Sequence, residues 1–123
     1  MYLAGAKHPN REPSRHLLEQ VQRGKVSACT STEVLQEILY RYTSLGRHST
    51  AREVYNLFVE ICPVVHPITL ADTDRARDLL QTVAGISARD AIHAAVMFNH
   101  KVTSIATFDK GFDQIPGIQR AKL

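Results

Sequence analysis

ISARDAIHAAVM, Ile86–Met97, holds a helix cap, a carboxylate and a run of small residues in one short stretch. Ser87 is a capping residue, whose hydroxyl can accept an early amide, so a helix is expected from there to about Asn99. Asp90 then falls in the first turn, where its charge complements the positive end of the helix. Capping alone would account for it. Ala91, Ala94 and Ala95, however, let this helix lie close against a neighbour, and a carboxylate at the head of a close-packed helix is also placed to serve a site. Both readings stand at this point. His93, three residues after Asp90, shares its face and reads either as a hydrogen-bonded core histidine or as a base or ligand.

Downstream, Val102–Ala106 reads as a strand, followed by TFDKGFD, Thr107–Asp113. Gly111 lets the chain bend there and Phe112 can pack beneath. Thr107 and Asp109 lie just past the strand's carboxyl end, either as a plain polar turn or as part of a crevice, and Asp113 reads as a helix or turn residue. Ile115, Pro116 and Gly117 return the chain to a last strand, Gln119–Lys122.

Upstream, Thr69 starts a helix with Ala76, Leu79, Leu80 and Val83 facing inward and Gly85 ending it. Val64–Ile68 reads as a strand, and Pro67, which cannot donate to a ladder, places it at an edge or a strand end. Thr50 and Glu53 signal a helix carrying Val54, Leu57, Phe58 and Ile61 as far as Pro63. Thr30–Glu33 fits a capping box before a helix with Val34, Leu35, Ile38, Leu39, Tyr42 and Leu45 on its apolar face, closed by Gly46. Glu37 in that helix either borders the core or is solvated. Val26–Cys29 reads as a strand. Before it, Ser14 caps a helix to about Gln22, with Leu17, Leu18 and Val21 on one face and Gly24 as its stop.

Strands alternating with helices predict an α/β domain, a parallel sheet with helices on both faces, because parallel neighbours need crossover connections. Ligands in such sheets bind beyond the strands' carboxyl ends, which directs attention to Thr30–Glu37 and Thr107–Asp113. Carboxylates converging there would repel one another unless Mg²⁺ or Mn²⁺ neutralised them, and hard cations favour oxygen ligands. Such a cation can polarise a phosphodiester and activate water.

The whole chain agrees with this. Its 123 residues suit one domain spanning 1–123, and 44% hydrophobic with 22% charged residues is ordinary globular usage. No apolar run approaches the ~18 residues of a membrane span, and MYLAGAKHPN lacks a secretory leader's apolar stretch, so the cytoplasm is expected. Cys29 and Cys62 have no CxxC spacing and the six histidines form no HExxH, which argues against zinc and for buried free thiols. The net charge of +3 and pI near 9.1 suit an anionic partner. Ten of the fifteen basic residues are arginines, whose fork holds phosphate at two points.

Three pieces taken in order, STEVLQEIL, SARDAIHAAVM and IATFDKGFD, resemble the PIN-domain nucleases, most closely the toxins of VapC-type toxin–antitoxin pairs. The resemblance maps the family's acidic residues onto Glu37, Asp90 and Asp109, with Thr107 at the accompanying Ser/Thr position. Arg89, His93 and Asp113 are the neighbouring candidates for substrate contact or support. It implies a three-layer α/β/α fold, a Mg²⁺ or Mn²⁺ site, cleavage of single-stranded RNA, a homodimer and a small antitoxin partner.

One departure stands out. The family opens with a strand ending in D-T-N-x-L-x-Y-L, whereas this chain opens MYLAG, as if inside that motif. The first aspartate and its central strand are missing, which leaves an N-terminally incomplete domain, and neither Asp72 nor Asp74 lies at a matching position. Either a start codon assigned too far downstream or a shortened chain that lacks a central strand would account for this. The chain as written is expected to bind metal weakly and to cut RNA poorly or not at all. The competing reading is a non-catalytic PIN-like scaffold that holds RNA or a protein. A receiver-like phosphoacceptor would need paired acids after its first strand, and none is there.

Overall fold

Strand passes to helix at a single residue. In the computed structural model, which describes residues 11–24 and 27–121, with the backbone alone at 11–14, Ser31 is extended and its hydroxyl accepts the amide of Val34 at 3.4 Å. Ser31 thereby closes β1 (Cys29–Ser31) and caps α2 (Thr32–Ser44) with no loop between them. The cap falls one residue later than the Thr30 box expected from sequence, at the last residue of the strand, Ser31, which pairs with His66.

Residues up to Pro67 make one unit and Ile68–Lys122 a second. In the first, β1 pairs in parallel with β2 (Val64–His66), which stops before Pro67, the residue without an amide to donate. Gly46, in the left-handed region at φ 72°, turns the chain after α2. The amide of Arg47 then returns to the Tyr42 carbonyl at 2.8 Å. So tight a turn leads straight into α3 (His48–Ile61), which begins ahead of the expected Thr50 and has no side-chain cap. Leu35, Ile38 and Tyr42 of α2 pack on Ala51 and Val54 of α3, with Val65 of β2 against them. Leu39 and Leu45, expected on the buried face, lie outside that stripe and are 42% and 62% exposed.

Helix α1 (Arg11–Gln22) starts before Ser14 rather than at it. Pro13 is tolerated there because first-turn amides have no intrahelical partner to lose. Leu17, Leu18 and Val21 are half-buried. Cys62 is buried as expected, and burial pushes its thiol pKa up. Cys29 is exposed instead, at the first position of a short strand. Three expectations concern residues outside those described, namely the family motif's tail at Met1–Leu3, the strand start at Val26 and the strand end at Lys122.

The second unit begins with the predicted Thr69 cap of α4 (Leu70–Thr82), now part of a full capping box. The Thr69 amide and hydroxyl both donate to Asp72 Oδ2 at 2.9 Å. At the far end of α5 (Ala88–Asn99), Asn99 Nδ2 donates to Asp72 Oδ1 at 2.7 Å. Arg75 in turn donates to Asn99 Oδ1 at 2.9 Å and stacks over the Phe98 ring at 5.1 Å. Between these ends the helices meet through Ala76, Ala91 and Ala95. Leu80, expected inward, is 43% exposed, since this alanine seam covers a narrow stripe of α4. Ala94 faces elsewhere, into a cluster with Met97, Phe112, Ile115 and Ile118. Strands β3 (Ser104–Ile105) and β4 (Gln119–Arg120) are parallel and shorter than expected. The α/β class and parallel pairing read from sequence therefore hold in each unit.

Burial raises the pKa of the Asp72 carboxyl, but the hydrogen bonds from Asn99 and from the Thr69 backbone and hydroxyl, with the charge of His100, outweigh it and hold the pKa below the ordinary 3.8. A carboxyl depressed on folding stabilises the fold above its unfolded pKa, and that increment is lost as pH falls through the folded value. Asp72→Asn is expected to cost about 1–3 kcal/mol at pH 7 by turning a donor toward donors. Urea unfolding at neutral pH and below 3.8 should show the gap between variant and parent closing in acid. A constant gap would sever Asp72 from the acid limb.

Candidate functional site

Asp90 lies in the first turn of α5, half-buried, its amide donating to the Ser87 hydroxyl at 3.0 Å. The helix-start reading of the residue is therefore correct. Asp109 is reached by a different local device. It caps the 3-10 helix Lys110–Gln114, and its Oδ1 accepts the Gly111 amide at 2.8 Å. Thr107 Oγ1 accepts the Asp109 amide at 3.1 Å, so two side-chain turns in succession set the direction of the carboxylate.

Packing brings the two acids together. Phe112, buried in the cluster that includes Ala94, pins the 3-10 helix against α5, with its ring 6.5 Å from that of half-buried His93. A Cβ placed on Gly111 would stand 3.1 Å from Asp109 Oδ1 and 3.5 Å from Asp90 Oδ2. The carboxylates of Asp90 and Asp109, nineteen residues apart in the chain, thus face one small space over Gly111.

The other candidates are placed differently. Asp113 is engaged at both oxygens by Arg120, from Nε at 2.8 Å and Nη2 at 3.0 Å. That hydrogen-bonded guanidinium holds the Asp113 carboxyl below its usual range. Arg89 is exposed on α5 beside Asp90. Glu37 lies half-buried on α2 in the first unit, between Gln36 and the fully buried Ile38. Sequence reasoning did not single out Arg120, which only the register of β4 brings to Asp113. It took Gly111 as a simple bend, although an acid followed two residues later by glycine was the available signal for a turn closed by the carboxylate.

The donors at the space over Gly111 are hard carboxylate oxygens, the set preferred by Mg²⁺ and Mn²⁺. Mg²⁺ is commonly held by one or two carboxylates, with water and substrate phosphate filling the remaining positions. The residues present fit that kind of cation. Among the described residues no group of three or more His, Cys, Asp or Glu side chains is placed to hold a metal ion, so the two carboxylates stand there as a pair.

The chain matches the PIN domain family over residues 1–118. It is 41% identical to the VapC ribonuclease Mb1869c of Mycobacterium bovis and to Ribonuclease VapC13 of Mycobacterium tuberculosis, over 98% of this chain and 92% of each relative. Ribonuclease VapC23 of Mycobacterium tuberculosis is 38% identical over 89% of this chain and 86% of its own length. No solved structure shows a significant match. The chain belongs to the PIN-domain family, among its VapC-type members, which also fixes the PIN-like α/β/α fold class expected from its sequence.

The Asp113–Arg120 pair makes a direct prediction. Arg120→Gln should let the Asp113 carboxyl pKa rise toward its ordinary 3.8, followed by carboxyl-carbon NMR titration. An unchanged titration would mean the guanidinium does not set it.

Proposed function

We propose that this protein is a metal-dependent endoribonuclease that cuts single-stranded RNA and serves as the toxin of a toxin–antitoxin pair. The observation that carries the reading is the shared space over Gly111, faced by Asp90 Oδ2 and Asp109 Oδ1. Its context supports the substrate class, since the relatives with the highest identity above are named ribonucleases and the chain carries a net +3 charge. Among the described residues no helix is long and apolar enough to cross a membrane. The partners this reading implies are RNA, a small antitoxin protein and a second copy of the chain, in the cytoplasm.

Asp90 and Asp109 are the residues that would hold Mg²⁺ or Mn²⁺. A cation there supplies Lewis-acid polarisation of the phosphodiester and a more acidic water. The helix start orients Asp90, while Thr107 and the Gly111 amide orient Asp109 before any ligand arrives. Glu37 is assigned the third carboxylate, positioning the attacking water, on the family order of the acidic pieces alone. His93 supports the site through Phe112, Asp113 does so by anchoring Arg120, and exposed Arg89 is assigned to RNA phosphate. In the reaction a water oxygen bonds to phosphorus as a backbone P–O bond breaks, and the departing oxygen takes a proton.

In a form that carries the family's first strand and aspartate, Asp90→Asn and Asp109→Asn should each lower cleavage of a single-stranded RNA by about 100-fold or more, with Mn²⁺ affinity falling in parallel, because each removes ligand charge and orientation. Melting curves would show that both variants fold. Undiminished cleavage by the double variant would overturn the assignment.

A further inference from the structure

Gly111 does not need to be glycine for its backbone. The described glycines with φ in the left-handed region are Gly24, Gly46, Gly85 and Gly117, and Gly111 is not among them. An L side chain could adopt this conformation without strain, so the reason for glycine lies in the space around it. That space differs from those at Gly24, Gly46 and Gly85, where an added Cβ meets nothing within 4 Å. At Gly111 its three nearest neighbours beyond the adjoining residues all belong to the two acids, namely Asp109 Oδ1 at 3.1 Å, Asp90 Oδ2 at 3.5 Å and Asp109 Cγ at 3.7 Å. The first distance is tighter than ordinary van der Waals contact, so Asp109 would have to give way.

Giving way is costly to function rather than to folding. Asp109 Oδ1 is tied to the Gly111 amide at 2.8 Å, and moving it loosens the turn that aims the carboxylate. Asp109 is exposed, so the displacement disturbs no core packing. A methyl group between the carboxylates would also exclude the water that a hydrated cation brings with it.

We propose that Gly111 is a positioning residue, whose missing side chain keeps open the space that Asp90 and Asp109 share for a hydrated divalent cation. This rests on the reading of those two carboxylates as the metal-holding pair. Its amide sets the direction of one carboxylate, and its bare α-carbon leaves room in front of both. A residue chosen only to let the chain bend would tolerate alanine at no cost to the metal.

The test is Mn²⁺ titration, followed by the spin-resonance signal of the free ion, on the full chain and its Gly111→Ala, Gln114→Ala, Asp90→Asn and Asp109→Asn variants. Gln114 is exposed on the same 3-10 helix and serves as the control. Gly111→Ala should weaken Mn²⁺ binding roughly 10-fold, within the range for groups that orient metal ligands, while its metal-free melting temperature stays at that of Gln114→Ala. If Gly111→Ala binds Mn²⁺ as the parent does while the aspartate variants do not, the Gly111 proposal fails and the carboxylate pair stands. If the aspartate variants bind as the parent does, the carboxylate reading fails and takes the proposal with it. A melting temperature for Gly111→Ala well below the control would overturn it too, by making the glycine a requirement of the fold.

Discussion

The close approach of α4 and α5 is the constraint on which the second unit depends. It is made by side chains of one carbon, Ala76 against Ala91 and Ala95, the last two with no exposed surface. Larger side chains would strain that contact, since overpacking a close seam costs about 1–3 kcal/mol. The seam also leaves free the adjoining flank of α5, where Ala94 is equally buried but packs in the cluster of Phe112, Ile115 and Ile118. Helix α5 is thus held from two sides by small residues. Its first turn, and Asp90 with it, is placed against the 3-10 helix that carries Asp109. The space that Asp90 and Asp109 share follows from how narrow α5 is.

The same unit shows two fates for an aspartate near a helix start. Asp72 and Asp90 each lie in a first turn, and each has a hydroxyl residue as the cap before it. Asp72 is 1% exposed, and both its oxygens accept hydrogen bonds, from Thr69 on its own helix and from Asn99 across the seam. It is spent on structure, since a buried carboxylate must be satisfied to be tolerated at all. Asp90 is half-buried at the open end of α5 and turns an oxygen toward the space over Gly111. What separates them is the end of the helix pair at which each sits, not residue type or cap. That is why an acid count alone does not locate the site.

Much of this was legible in the sequence because it is written in local chemistry. The Thr69 and Ser87 caps, the closure at Gly46 and the alanine run act within a few residues, and the structure places them as read. The misplacements arose where a longer-range partner decided the outcome. Pairing with β2 carries β1 on through Ser31, which takes the cap in place of Thr30, and the return of Arg47 to Tyr42 brings α3 forward past Thr50. Leu39, Leu45 and Leu80 fit an apolar periodicity, but periodicity says nothing about how wide a stripe the neighbour will cover. Asp90 and Asp109 were legible as acids at the correct ends of their elements. That they face one space was not, because it depends on Phe112 docking beside Ala94. The Asp113–Arg120 pair was hidden for a similar reason, since it spans seven residues through the register of a two-residue strand.

Two carboxylates facing one space repel each other, and the fold must bear that cost before any cation arrives. It does so with backbone. Asp90 sits at the start of α5, where unpaired amides give the helix end a positive partial charge. Asp109 heads the 3-10 helix and takes one of its amides directly at 2.8 Å. Each negative charge therefore carries its own compensation from peptide dipoles, fixed in direction and close at hand. Compensation of this kind is partial, because dipoles lower the energy of the charges without cancelling them. Arg120, paired with Asp113, adds a cationic charge near Asp109, and what the dipoles and that charge leave uncancelled is what a cation would neutralise.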